Sequence, residues 1–60
     1  MDSDVLAMAD GLARAYGVKA AMKTATDRAL AELDDGNLRV AVTWRRILNA
    51  LHRMERPDGR

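Results

Sequence analysis

The sequence predicts an all-α fold: a small three-helix domain in which a short first helix packs on a helical hairpin formed by helices 2 and 3. Three observations favour this fold. Apolar residues recur every three or four positions along most of the chain, which is the period of a helix with one buried face. Glycines interrupt this pattern at Gly17 and Gly36, where left-handed backbone can end a helix. Pro57 ends the last helical stretch, because the residue before a proline avoids helical backbone.

The chain has 60 residues, which is enough for one domain with a small core. It contains eleven alanines and no phenylalanine, so the core must be thin and built on close helix contacts. We predict a single domain over residues 1–56, with helices at about 4–16, 18–34 and 38–55 and a flexible tail at 57–60.

The first helix follows an acidic N-capping stretch at residues 2–4, and its end depends on Gly17. If the helix continued through Gly17, the apolar stripe of Val18–Leu33 would point roughly 220° away from that of Val5–Tyr16. One straight helix cannot bury both stripes on one partner, so we predict a chain reversal at Gly17. The alternative is a single long helix whose halves face different neighbours, as in a dimer.

The stretch Asp34–Asn37 is predicted to turn the second helix into the third. Gly36 and Asn37 tolerate left-handed backbone, and Asn37 or Asp35 can cap the helix that follows. Two ion pairs at i,i+4 spacing are predicted on the solvated face of the second helix, Lys23–Asp27 and Arg28–Glu32.

The third helix has the clearest division into faces, with one apolar face spanning roughly 120° of arc. Trp44, the only tryptophan of the chain, lies on it and can bury on the order of 200 Å². A role at an anionic membrane surface would require this face to be exposed. The predicted core comprises Leu12, Tyr16, Met22, Leu33, Val40, Trp44, Ile47, Leu48 and Leu51, with Met54 on the same face of the third helix.

The opposite face of the third helix combines two apolar side chains with several arginines. It can be a solvated surface, a contact surface for another protein or a second copy, or a phosphate-binding surface. In the second interpretation the apolar pair is central and the arginines form the rim, since arginine is favoured at interfaces. The predicted partner-binding residues are Leu38, Val42, Arg45, Arg46, Asn49 and Arg53.

The net charge of +1 is unevenly distributed. Residues 1–36 hold seven acids and four bases, whereas residues 37–60 hold six arginines and two acids. This asymmetry makes nucleic-acid binding the alternative function. Against it, no aromatic residue is spaced to stack bases, and the helix before the turn is long for a helix-turn-helix. The arginines concerned are Arg39, Arg45, Arg46, Arg53 and Arg56.

The residues needed for catalysis or metal binding are sparse. There is no cysteine, the only serine (Ser3) is explained as a helix cap, and the only histidine (His52) lies on the flank of the basic face. Asp34 and Asp35 flank a turn without the spacing of a calcium loop. We therefore expect no enzymatic activity, no cofactor and no metal.

No apolar run approaches the ~18 residues of a membrane span, and the start of the chain is acidic where a signal peptide is basic. The absence of cysteine suits a reducing compartment. We expect a cytoplasmic protein that binds no membrane.

Several packing and turn residues form a recognisable outline, which consists of Tyr16-Gly17, Ala20, Ala25, Arg28-Ala29, Gly36-Asn37, Trp44, Ile47 and Ala50. This outline resembles a group of small bacterial helical proteins of uncharacterised function. The resemblance implies a compact helical fold and carries over no catalytic or binding residue. The size and helical style also resemble phage-encoded or mobile-element inhibitors, including some anti-CRISPR proteins.

These observations lead to one main expectation for function. We expect a small non-enzymatic protein-binding or regulatory protein, an adaptor or inhibitor, acting on another protein or as a homodimer. Binding of nucleic acid through the basic face of the third helix is the alternative.

Overall fold

A computed structural model describes residues 3–55 as three helices. They are α1 (Ser3–Tyr16), α2 (Val18–Asp34) and α3 (Leu38–Glu55). The predicted all-α fold is confirmed, and no strand occurs within residues 3–55. The most extensive contact joins α2 to α3, and α1 packs on both. Residues 1–2 and 56–60, and with them Arg56 and the predicted tail at 57–60, lie outside the described residues.

A single glycine separates α1 from α2. Gly17 has φ 86° and ψ 154°, a backbone conformation that residues with a Cβ rarely adopt. Its N–H donates to the carbonyl oxygen of Ala13 at 2.8 Å, and its own carbonyl accepts from the N–H of Ala21 at 2.9 Å. Gly17 therefore ends one helix and begins the next, and the alternative of one long helix is wrong.

The turn between α2 and α3 is a Schellman motif. The N–H of Gly36 (φ 81°) donates to Leu33 O at 3.1 Å, and the N–H of Asn37 donates to Glu32 O at 2.8 Å. The side-chain amide of Asn37 also donates to Glu32 Oε1 at 2.8 Å. The side chain of Asn37 thus bonds back to α2, while its carbonyl accepts the N–H of Ala41 at 2.9 Å to start α3.

Alanines form most of the core. Among residues 3–55, only two large side chains, Ile47 and Leu51, are fully buried. Six alanines are the other buried residues, and three of them recur at i, i+4 and i+8 along α2, where they let neighbouring helices approach closely. The apolar face of α3 is buried where it carries Ile47 and Leu51. The buried alanines are Ala9, Ala21, Ala25, Ala29, Ala41 and Ala50.

The first helix covers only part of the hairpin. Val5 and Leu6 in the first turns of α1 line one cleft with Arg46 and Ala50 of α3, and α1 runs from there towards the start of α2. We call residues 18–27 and 45–55 the junction half of the hairpin, because α1 packs there. Residues 28–44 form the turn half. The core cluster that includes α1 lies in the junction half, with Trp44 at its boundary.

Partial coverage by α1 overturns part of the predicted core. Leu33 and Val40 flank the turn and are 46% and 43% exposed, because α1 does not reach them. Tyr16 is 62% exposed in the last residue of α1, directly before the reversal, and Met54 is 40% exposed near the end of α3. Placing these four residues in the core was wrong. Of the other predicted core residues, Ile47 and Leu51 are fully buried. Partly buried and packed against the main cluster are Leu12, Met22, Trp44 and Leu48.

A cation–π contact lies at the boundary between the two halves. The guanidinium carbon of Arg28 lies 5.7 Å from the centroid of the Trp44 ring. The predicted pair of Arg28 with Glu32 is not formed, since Glu32 instead accepts the amide of the Asn37 side chain. The predicted pair of Lys23 with Asp27 is formed at 3.9 Å on the exposed face of α2.

Candidate binding surface

The six residues predicted to bind a partner share one exposed strip of α3. At about 100° per residue they fall within an arc of about 100°, on the side of α3 that faces away from the core. All six are exposed, including Leu38 at 63% and Val42 at 48%. We call this strip the outer face of α3. Its residues are Leu38, Val42, Arg45, Arg46, Asn49 and Arg53.

One flank of the outer face borders the first helix. Arg46, Asn49 and Arg53 follow one another at i, i+3 and i+7 along the rim of a cleft of about 400 Å³ between α1 and α3. Leu6, which is 53% exposed, contributes an apolar side chain to the same cleft. We call this the α1/α3 cleft, and its lining consists of Ser3, Val5, Leu6, Arg46, Asn49, Ala50 and Arg53.

The other flank borders the second helix. Arg45 lines a smaller groove of about 270 Å³, whose other lining residues are apolar except for Thr26. Arg45 and Arg46 are thus neighbours in sequence but belong to different depressions, because they lie about 100° apart around α3. We call this the α2/α3 groove, and its lining consists of Thr26, Ala29, Leu30, Leu33, Arg45 and Leu48.

The arginines of α3 carry positive charge that is not neutralised within residues 3–55. The ion pairs in this part of the chain are Arg14–Asp10 at 2.9 Å and Lys23–Asp27 at 3.9 Å, and neither involves α3. The only acid of α3 is Glu55, in its last turn. A partner with acidic side chains would therefore meet four exposed guanidinium groups, those of Arg39, Arg45, Arg46 and Arg53.

Residues considered for chemistry are dispersed. His52 is exposed on α3, and Asp34 and Asp35 are exposed at the turn. No cluster of three or more histidines, cysteines or acids that could hold a metal occurs among the described residues. No helix between residues 3 and 55 is long and apolar enough to cross a membrane.

The α2 side of the groove was not predicted as a candidate site. Leu30 is 60% exposed and lies one turn before Leu33, with Thr26 one turn earlier. The i, i+4, i+7 spacing of these three residues is visible in the sequence. It could have indicated a second apolar strip, distinct from the buried strip of Ala21 and Ala25.

Comparison with known proteins gives no relative from which a function can be transferred: no family model, no curated protein and no solved structure matches the chain. The resemblance to small bacterial helical proteins therefore stays a prediction.

Proposed function

We propose that this chain is a small protein-binding protein that holds its partner on the outer face of α3. The observation that carries the proposal is the combination of exposed Leu38 and Val42 with unneutralised arginines on one helical strip. An adaptor, an inhibitor or a small regulator would use such a surface. Catalysis is not part of the proposal, because the sequence offers one serine, one histidine and no cysteine.

The apolar pair would supply the centre of the interface. Leu38 and Val42 are one turn apart, so a single partner side chain or helix can cover both. Burying each fully is worth about 1.5–3 kcal/mol, reduced here in proportion to the surface that is already covered. In the free protein these two side chains remain in contact with water, and such exposed apolar surface favours binding of a partner.

The arginines would supply orientation and partner choice. Arg45 stands on one side of the apolar pair, and Arg46 and Arg53 stand on the other. Each guanidinium can donate two parallel hydrogen bonds to a carboxylate. Like charges on a basic partner would be repelled, so an acidic partner is favoured.

The biological setting is part of the same proposal. Small size and an all-helical fold are shared with inhibitors encoded by phages and mobile elements, which act by binding a host protein. A cytoplasmic location would agree with a chain that contains no cysteine.

A capture experiment with matched variants tests the proposal. The tagged protein is incubated with nuclease-treated lysate of the source cells, next to Val42→Asp and the Arg45→Glu/Arg46→Glu double variant. Met8→Asp is the control, because Met8 is 46% exposed, close to the 48% of Val42, but lies on α1. We expect a protein retained by the wild type and Met8→Asp and lost with the two α3 variants. Equal retention by all four proteins would refute the assignment to this surface.

Nucleic-acid binding is the second candidate, favoured by the four exposed arginines of α3. Contacts to phosphates release counterions, so affinity for duplex DNA or RNA would fall at least tenfold between about 50 and about 200 mM salt. A fluorescence-anisotropy titration at both salt concentrations measures this. Absence of binding at the lower concentration would eliminate the candidate.

A further inference from the structure

The α1/α3 cleft combines apolar side chains with two guanidinium groups. Val5, Leu6 and Ala50 line it with apolar side chains, and Arg46 and Arg53 line it with charged ones. Leu6 is 53% exposed, and Ala50 contributes only a methyl group, which leaves room above it. The volume of about 400 Å³ lies within the range of ligand-binding clefts. A ligand that fills the cleft must therefore be apolar in one part and accept hydrogen bonds in another.

The charge of the cleft is positive and is not compensated by its own lining. No ion pair within residues 3–55 involves Arg46 or Arg53. None of the described residues that line the cleft is acidic, and Asp4, which precedes the lining residue Val5 in α1, is not among them. Each guanidinium can donate two parallel hydrogen bonds to a carboxylate. Charge complementarity therefore favours a ligand that carries two carboxylates.

The spacing of the two arginines favours a helical ligand. Arg46 and Arg53 are seven residues apart on α3, so their Cα atoms lie about 10.5 Å apart along the axis and about 20° apart around it. Acids at positions i and i+7 of another helix have the same separation on one face. Side chains on one face of an extended segment repeat about every 6.7 Å, which gives about 7 or about 13 Å instead. Ala50, between the two arginines, would lie opposite positions i+3 and i+4 of the ligand helix.

We infer that the α1/α3 cleft receives an amphipathic helix of the protein partner, with acids at positions i and i+7 and apolar residues at i+3 and i+4. The apolar side chains of this helix would contact Leu6, Val5 and Ala50. Its two carboxylates would bind Arg46 and Arg53. The inference rests on the proposed function, because it names the segment of the partner that one flank of the outer face holds.

A ligand that binds through phosphates fits the cleft less well. Phosphates would satisfy Arg46 and Arg53 but would leave Leu6 in contact with water, because a sugar–phosphate backbone has no large apolar group. None of the described residues that line the cleft is aromatic, so bases would find no ring on which to stack. Leu6 therefore separates the two classes of ligand, since it contributes to binding of an acidic helix and not to binding of phosphates.

Binding of a synthetic peptide tests the inference without the cellular partner. The probe is a labelled, alanine- and glutamine-rich helical peptide of about 20 residues, with glutamates at i and i+7 and leucines at i+3 and i+4. Fluorescence anisotropy should give a Kd below about 1 mM at low salt. A control peptide with its leucines at i+2 and i+5, on the opposite side of the helix, should bind at least about threefold more weakly. Absence of binding, or equal binding of the two peptides, would overturn the inference.

Matched variants locate the peptide on the protein. Arg46→Glu and Arg53→Glu should each lower the affinity at least about tenfold, because carboxylate would then meet carboxylate. Arg45→Glu is the control and should lower it less than about threefold, since Arg45 lies on the same helix but lines the α2/α3 groove. Leu6→Asn, which adds no charge, should lower it at least about threefold. Equal losses for Arg45→Glu and Arg46→Glu, or an unchanged affinity of Leu6→Asn, would overturn the assignment to the cleft.

Capture from lysate separates failure of this inference from failure of the proposed function. Leu6 lies on α1, outside the outer face, so Leu6→Asn should weaken capture of the partner that Val42→Asp loses. Capture that is lost with Val42→Asp but unchanged with Leu6→Asn would overturn the inference and leave the proposed function intact. Equal capture by Val42→Asp and the wild type would instead overturn the proposed function. Since Leu6, Arg46 and Arg53 are exposed, circular dichroism should show unaltered helical spectra for their variants.

Discussion

The two halves of the α2–α3 hairpin follow the same helical periodicity but differ in what they bury. In the junction half, Ile47 and Leu51 are completely buried. In the turn half the buried residues are Ala29 and Ala41, and five large apolar side chains are 43–63% exposed. The buried cluster to which α1 contributes Ala9 contains Ile47 and Leu51 of the junction half and no buried residue of the turn half. Coverage by a third helix therefore decides which apolar residues form the core and which remain for a partner. The five exposed residues are Leu30, Leu33, Leu38, Val40 and Val42.

The largest difference in stability is expected when one leucine of each half is replaced by alanine, Leu51 in the junction half and Leu33 in the turn half. Leu51→Ala should lower the free energy of unfolding by about 3 kcal/mol, because it opens a cavity beneath α1. Leu33→Ala should change it by less than about 0.5 kcal/mol, because Leu33 is already exposed. Urea denaturation followed by circular dichroism measures both. Similar losses for the two variants would show that the halves are equally well packed.

The alanines of α2 give the next largest effect. Ala25→Leu should destabilise the fold by about 1–3 kcal/mol, since no space exists for a larger side chain where α2 meets the core. Ala31→Leu, at an exposed position of the same helix, is the matched control and should be nearly neutral. If thermal melting showed Ala25→Leu to be as stable as the control, the account of a close-packed alanine core would fail.

Replacing glycine by alanine should lower the stability of the protein at position 17 and raise it at position 11. Gly17→Ala should cost about 1–3 kcal/mol, because Gly17 has positive φ at the reversal that places α1 on the junction half. Gly11→Ala should stabilise the protein by about 0.5–1 kcal/mol, because Gly11 is helical and a Cβ there meets nothing within 4 Å. The melting temperatures of the two variants test both signs. A stabilising effect at position 17 would mean that α1 and α2 are not separated as described.

A modest effect is expected at the boundary between the halves. Arg28→Ala should lower stability by about 0.5–1 kcal/mol, because the guanidinium no longer covers the Trp44 ring. Arg28→Lys keeps a cation near the ring and should lose less. Urea titrations followed by Trp44 fluorescence report on both variants. If Arg28→Ala left the free energy of unfolding unchanged, the contact between Arg28 and Trp44 would not stabilise the fold.

Helix ends were predictable from the sequence, and the extent of the core was not. Gly17 and Gly36 marked the ends of α1 and α2 because positive φ is accessible to glycine alone at little energetic cost. Periodicity identified the face of α3 that holds Ile47, but it also placed Val40 and Leu33 in the core. Periodicity describes one helix at a time, and whether an apolar face is covered depends on where a third helix ends.

For the outer face of α3, too, the sequence predicted local features but not those that depend on neighbouring helices. Its six residues could be grouped from their spacing alone, because 100° per residue is a local property. The separation of Arg45 from Arg46 into two depressions depends on the positions of α1 and α2, which spacing along α3 does not contain. The α2 side of the α2/α3 groove, where Leu30 is exposed, was not predicted for the same reason.

Site-specific photocrosslinking in the source cells can show whether the outer face of α3 holds a protein partner. A photoreactive amino acid would replace Val42 on the outer face or, in the control, Met8 on α1. We expect a discrete crosslinked product with another protein from position 42 and none from position 8. Absence of a product at position 42, or the same product from both positions, would contradict the claim that the outer face of α3 holds a protein partner.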